Sequence, residues 1–181
     1  VVNTKPVATT DQDKTRTYKD TIVMIGLASA DPDTGDTLTY SWVQIAGATS
    51  VTLIPNATAQ NPSFFADTVT AYIFRLTVAD GSGDTGSDTI SINAINTIPT
   101  ANAGPDTAIA AGDTFVLNAA ASADSNGSVL TYSWTQIAGP ARTLIPSASA
   151  VSPAFVTDTA FIGSYIFRLV VHDGFDSSAS D

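Results

Sequence analysis

Leu38-Thr-Tyr-Ser-Trp42, followed by Gln44-Ile-Ala-Gly47, recurs as Leu130-Thr-Tyr-Ser-Trp134, followed by Gln136-Ile-Ala-Gly139. Other stretches repeat at the same spacing of about 92 residues. Thr52-Leu-Ile-Pro55 returns as Thr143-Leu-Ile-Pro146, and Tyr72-Ile-Phe-Arg-Leu76 as Tyr165-Ile-Phe-Arg-Leu169. A repeat this long is no solenoid turn; it suits an independently folded sandwich domain. Within it, Tyr72, Phe74, Leu76 and Val78 alternate with Ile73, Arg75 and Thr77, which is the period of a strand buried on one face. Tyr40 and Trp42 share a face by the same rule. Thr21 to Ala28, with Ile22 and Ile25 among its apolar members, reads as another strand, and Gly86 to Ile95 as the last of the first copy. About seven short strands per copy are expected.

Composition agrees with a β fold. The 181 residues are 44% hydrophobic, enough for a packed core. Only 13% are charged, with 17 acidic residues against 7 basic ones and a net charge of −10. Every acidic residue is Asp, which favours turns, and the helix former Glu is missing. No stretch of ten or more residues has helical periodicity. There is no Cys, so disulfides and thiolate chemistry are excluded. The acidic balance disfavours nucleic acid and anionic membrane surfaces, and no apolar run is long enough to insert into a bilayer. Val1 in place of an initiator Met suggests an excised or processed piece of a longer protein.

The copies divide as 1–95 and 96–181. The second ends early: Asp181 corresponds to Asp88, so the counterpart of Thr89-Ile-Ser-Ile-Asn-Ala-Ile95 is missing. The expectation is that another chain, or a continuation of this one, covers the resulting sheet edge.

An ordered set of motifs carries a family resemblance. Ala103-Gly-Pro-Asp106, Gly112-Asp, Ser122-Ala-Asp124, Leu130 to Pro140, and Gly163 through Asp173-Gly174 resemble a PKD-type (polycystic kidney disease) domain. The first copy matches through Ser29-Ala-Asp-Pro-Asp33, Tyr40-Ser-Trp42 and Tyr72 to Gly81, and departs where Asp11 replaces the Gly of Ala-Gly-Pro-Asp. The resemblance implies an all-β chain of two tandem Ig-like β-sandwich domains joined by a short linker. It also implies a non-catalytic module of extracellular, cell-surface or secreted proteins, here expected to be bacterial.

In such sandwiches the chain start, the loop between the second and third strands and the loop after the sixth strand meet at one end. Those places hold oxygen donors in both copies: Asn3, Asp31, Asp33 and Asp80 in the first, Asn96, Asp124, Asn126 and Asp173 in the second. Calcium takes six to eight such oxygens, and convergent carboxylates without basic partners repel each other unless a cation neutralises them. Calcium-binding PKD domains of bacterial collagenases use similar positions, so structural calcium is the implied cofactor. Asn126 in place of Asp33 costs the second site one charge, and Asp36 has no acidic counterpart. The competing reading is plain turn chemistry at Asp31 to Gly35, Asp80-Gly81 and Asp173-Gly174.

Other candidates read as scaffold. Trp42 and Trp134 fit the core better than a sugar platform; Phe65, Phe161 and Phe175 are the candidate exposed aromatics. His172 is the single His, and a strand would point it away from Asp173. No zinc set or serine nucleophile elbow exists, so no catalytic residues are assigned. Gly81 to Asp88 is expected to be a loop. The functional expectation is a non-catalytic spacer or adhesion segment of a larger extracellular multidomain protein, stiffened by calcium at the domain ends. Its partners would be neighbouring modules of the same chain, polysaccharide or a surface protein. The alternative is an accessory polysaccharide- or matrix-protein-binding module of a secreted hydrolase.

Overall fold

A computed structural model describes residues 2–33 and 35–181; Val1 and Thr34 lie outside the described residues, and with Thr34 part of the stretch Asp31 to Gly35 that the sequence offered as a turn. The chain packs as two units, Val1–Asn96 and Thr97–Asp181.

Unit 1 contains β1 (Lys14–Thr17), β2 (Thr21–Val23), β3 (Thr39–Ala46), β4 (Ser63–Phe65), β5 (Ala71–Ala79) and β6 (Thr85–Ile95). Four strands form one sheet in the order β1-β6-β5-β3, and β2 pairs with β4 in a second. β1 runs parallel to β6, and the other pairs are antiparallel. Tyr72, Phe74, Leu76 and Val78 of β5 are all fully buried, as the alternation requires. Ile90, Ile92 and Ala94 of β6 complete that layer, and Ile22, Met24 and Phe64 come from the facing sheet. Trp42 is 2% exposed and donates its indole N–H to the Ala59 carbonyl at 3.1 Å, so its one polar group is satisfied inside the core.

Two sequence readings need correction here. The ladder of the strand expected over Thr21 to Ala28 stops at Val23. Met24 still donates to the Pro62 carbonyl, but Pro62 has no N–H to return, so the pairing cannot continue two-sided. Met24, not Ile25, shares the buried face with Ile22, because residues two apart point the same way; Ile25 is 40% exposed. Gly81 to Asp88 is not simply a loop: its second half, from Thr85, is the start of β6.

Unit 2 contains β7 (Thr114–Val116), β8 (Thr131–Ala138), β9 (Ala154–Val156) and β10 (Ile166–His172), paired β7-β9 and β8-β10. Its core gathers Leu117, Ala119, Trp134, Phe155, Leu169 and Val171. Trp134 repeats the Trp42 bond, to the Ala150 carbonyl at 3.1 Å. Six and four named strands stand where about seven were expected. The short outer strands hold only three residues each, and the equivalents of β1 and β6 carry no named strand in unit 2.

The repeated Gln-Ile-Ala-Gly has a structural cause. Gln44 Oε1 accepts from the Val51 amide, and Gln136 Oε1 from the Arg142 amide, so each Gln clamps the loop that follows its strand. Gly47 and Gly139 turn that loop at φ of 137° and 90°. A Cβ at Gly139 would lie 2.8 Å from the Ser164 carbonyl oxygen, which leaves room only for glycine.

Candidate metal centre

The acidic end of unit 1 is built from three loops. Asp80 follows β5 and is 6% exposed. Its Oδ1 accepts from the Ser82 and Asp84 amides at 2.8 and 2.9 Å, which closes the turn into β6. Asp31 Oδ1 accepts from the Asp33 amide at 2.7 Å, an Asx turn. Asp33 Oδ2 in turn accepts from the Thr4 amide at 2.7 Å and ties the chain start to this loop. Asn3 donates its side-chain amide to Asp80 Oδ2 at 2.9 Å and to Asp84 Oδ2 at 2.8 Å. The four residues singled out in the sequence thus form two hydrogen-bonded pairs, Asn3 with Asp80 and Asp31 with Asp33, and the Thr4 amide next to Asn3 links the pairs.

Their charges converge. Carboxylate oxygens of Asp31, Asp36 and Asp80 lie within 4.8 Å of one another. Asp31 Oδ2 is buried without a hydrogen-bond partner. None of these acids has an ion pair with Lys or Arg among the described residues. The Asp36 pKa is raised, first by desolvation and then by the charges of Asp31, Asp33 and Asp80. Asp80 moves the other way, lowered chiefly by the Asn3 bond and then by the turn amides. Asp36 had been only a secondary candidate and Asp84 none; the Asp80-closed turn brings Asp84 to Asn3, and the spacing from Asp80 was the available signal.

Unit 2 repeats this framework. Asp124 Oδ1 accepts from the Asn126 and Ser128 amides, each at 3.0 Å. Asp173, 5% exposed, accepts through Oδ1 from the Phe175 and Asp176 amides. Asn126 Oδ1 takes the Thr97 amide and hydroxyl, as Asp33 takes the Thr4 amide. Asp124 Oδ2 is again buried without a partner. Ser128 stands where unit 1 has Asp36, so a hydroxyl replaces a carboxylate. Asn96 belongs to unit 1 by its contacts, whereas Asp124, Asn126 and Asp173 belong to unit 2.

The remaining candidates fall where their chemistry allows. His172 Nδ1 accepts from the Gly174 amide at 2.7 Å, and Asp173 Oδ1 is taken by two backbone donors, so their 3.9 Å approach is not a catalytic dyad. Phe65 and Phe175 are half-exposed, at 50% and 54%, and sit in different units. Phe161 packs edge-on against Tyr165 at 5.3 Å.

The family model described as K319L-like, PKD domain, matches residues 10–94 and 103–181. The chain belongs to this PKD domain family. The two matches coincide with the two copies of the repeat, so each unit is one PKD domain of an all-β, Ig-like tandem. Such domains are non-catalytic and typically occur in extracellular proteins. A mouse protein, the dyslexia-associated protein KIAA0319 homolog, is 35% identical over 106 residues, which are 56% of this chain and 10% of that protein. The PKD domain from the KIAA 1837 protein aligns at 22% identity and a TM-score of 0.44, over 60% of this chain and 99% of that one. Drosophila N-cadherin EC1-3 aligns at 12% identity and a TM-score of 0.40, over 98% of this chain and 65% of that one. These last two likenesses are weak. Among the described residues no helix is long and apolar enough to cross a membrane.

Proposed function

We propose that this tandem of PKD domains is a non-catalytic spacer and adhesion segment of a larger extracellular protein, and that calcium holds the acidic loops of each unit. One observation carries the calcium reading. Both units build the same Asp-closed loops, and each leaves a buried carboxylate oxygen, Asp31 Oδ2 or Asp124 Oδ2, with no hydrogen-bond partner. Turn chemistry explains the Oδ1 atoms, which cap amides. It does not explain burying the second oxygen unpaired, which costs free energy unless a cation meets it.

In unit 1 the ligands are Asp31, Asp36 and Asp80, with Asp33, Asp84 and Asn3 around them. The Asn3 amide nitrogen now faces two carboxylates; with a cation present, rotation of that amide presents its oxygen. Unit 2 offers Asp124 and Asp173 with Asn126 and Ser128, without the three converging carboxylates of unit 1 among the described residues, so it binds more weakly. Calcium here is structural: it ties the chain start to two loops and supplies no reactive water.

The polysaccharide-binding reading stands second, because both Trp side chains are core residues. The test is a thermal melt of the full chain in millimolar calcium and in chelator. Ligand at 100 times its Kd stabilises a fold by about 2.7 kcal/mol, a shift of several degrees. Superimposable melts, together with no heat on calorimetric titration, would leave only turns.

A further inference from the structure

We infer that Asn126 is a modification site: its side-chain amide is lost spontaneously to water, which gives unit 2 the carboxylate that unit 1 carries at Asp33. The modification stands apart from the calcium reading; its effect on metal binding rests on that reading. Asn126-Gly127 is the single Asn-Gly pair of the chain, and the other Asn residues precede Thr, Ala or Pro. The backbone nitrogen after an Asn can attack the side-chain Cγ, because the attack closes a small unstrained ring. A Cβ on the attacking residue crowds that approach, and Pro has no N–H to give up.

The surroundings of the pair favour the attack. Gly127 is exposed, so water reaches it, and its φ of 70° is one that glycine adopts freely. Its N–H donates to the Asp124 carbonyl at 3.2 Å, the long end of a hydrogen bond, so the attacking nitrogen gives up little. Asn126 Oδ1 accepts from the Thr97 amide at 3.2 Å and from the Thr97 hydroxyl. A backbone N–H can only donate, which fixes this atom as the amide oxygen. Two donors there polarise Cγ and stabilise the oxyanion that forms on attack, as preorganised donors do in acyl transfer. The leaving nitrogen, Asn126 Nδ2, faces the Ser128 hydroxyl at 3.1 Å.

The steps need no co-reactant but water. Gly127 N bonds to Asn126 Cγ, the Cγ–Nδ2 bond breaks, and the Gly127 amide proton leaves with the nitrogen as ammonia. Water then opens the imide: at Cγ it gives Asp, and at the main-chain carbonyl carbon it gives isoaspartate. Unit 1 shows that a carboxylate fits this place, since Asp33 Oδ2 accepts the Thr4 amide at 2.7 Å as Asn126 accepts that of Thr97. The Asp product adds a third carboxylate to Asp124 and Asp173. Ligand charge sets calcium affinity at such sites, so ageing of the chain strengthens the weaker of its two sites.

The test incubates the full 181-residue chain in neutral buffer and maps its peptides by mass over time. The mass gain of an amide turned carboxylate is expected first and fastest in the peptide spanning Asn126. A Cβ at Gly127 meets nothing within 4 Å, so Gly127→Ala is tolerated at the expense of some backbone strain. It should slow the gain at least about tenfold, a barrier rise of about 1.4 kcal/mol. Thr97→Val, which removes one donor, should slow it too. No gain at Asn126, or an equal rate in the Gly127→Ala chain, overturns the modification; a faster Thr97→Val chain overturns the part given to the hydroxyl. Asn126→Asp stands for the product and should bind calcium in unit 2 about tenfold more tightly than the parent. No tighter binding, while unit 1 still takes calcium, overturns the effect on unit 2. If neither unit binds, the calcium reading and this effect fall together, and the mass gain still decides the modification.

Discussion

Asp36 is a residue whose effect should change sign with calcium. Its carboxyl is pushed up by desolvation and by Asp31, Asp33 and Asp80, so its negative charge opposes the metal-free fold at neutral pH. Asp36→Asn is therefore expected to raise the Tm of unit 1 in chelator. In saturating calcium the same change removes a ligand charge, and charge count sets affinity at such sites. Calcium should then bind about tenfold or more weakly, and the variant should gain less Tm from it than the parent. Melts of both proteins with and without calcium check this; an Asn variant less stable than the parent in chelator would show that Asp36 is held by hydrogen bonds instead. Asp31→Asn should act in the same sense: its Oδ1 caps the Asp33 amide, a bond the Asn oxygen can keep, and the change removes a charge that faces Asp36, so calcium affinity should fall while the metal-free Tm rises.

At the scale of elements, β6 closes the core of unit 1. Ile92 is fully buried, opposite Tyr72 on one side and Lys14 on the other. Ile92→Ala should cost about 2–5 kcal/mol, as buried large-to-small changes do, read as a lower denaturant midpoint of the unit 1 transition. A cost under about 1 kcal/mol would mean that β1 and β5 close without it. The long inner strands were legible in the sequence because their alternation runs for seven or more residues: Tyr72 to Val78 predicted the buried face of β5 residue by residue. The short outer strands were not. At three residues, β2 offers too little period to separate Met24 from Ile25, and what ends its ladder is a proline in a different segment, Pro62. The acidic site was legible as the Oδ1 framework, since Asp before Gly or two residues before a second polar group announces a turn. The place of Asp36 was not, because it depends on how the loop after Asp33 returns toward Asp80, which no local spacing encodes.

At the scale of the whole molecule, each unit has its own core, so the chain should unfold in two transitions and not one. Trp42 and Trp134 report on units 1 and 2 separately, and a Trp→Phe change at either leaves a single reporter for the other. Unit 2, whose buried apolar core is the smaller, should melt first. Acid should lower both. In unit 1 the carboxyls of Asp67, Asp80 and Asp88 are all held below the usual value: Asp67 by the Thr49, Tyr72 and Thr68 hydroxyls, Asp80 by Asn3, Asp88 by the Thr10 amide. A carboxyl lowered on folding stabilises the fold fully above its unfolded pKa, near 3.8, and loses that contribution as pH falls through the folded value. Asp36 has the opposite sign, since its raised pKa makes the fold gain on protonation. In unit 2 Asp158 is lowered too, by the Ala160 amide and then by Arg142. In calcium-free buffer, lowering the pH from about 5 to about 2 should therefore depress both the Trp42 and the Trp134 transitions. Calcium at pH 5 should steepen the unit 1 response further, because protons and metal compete for Asp31, Asp36 and Asp80. A Trp42 transition that stays put between about pH 5 and about pH 2 would mean that these hydrogen-bonded carboxylates contribute nothing to the stability of unit 1.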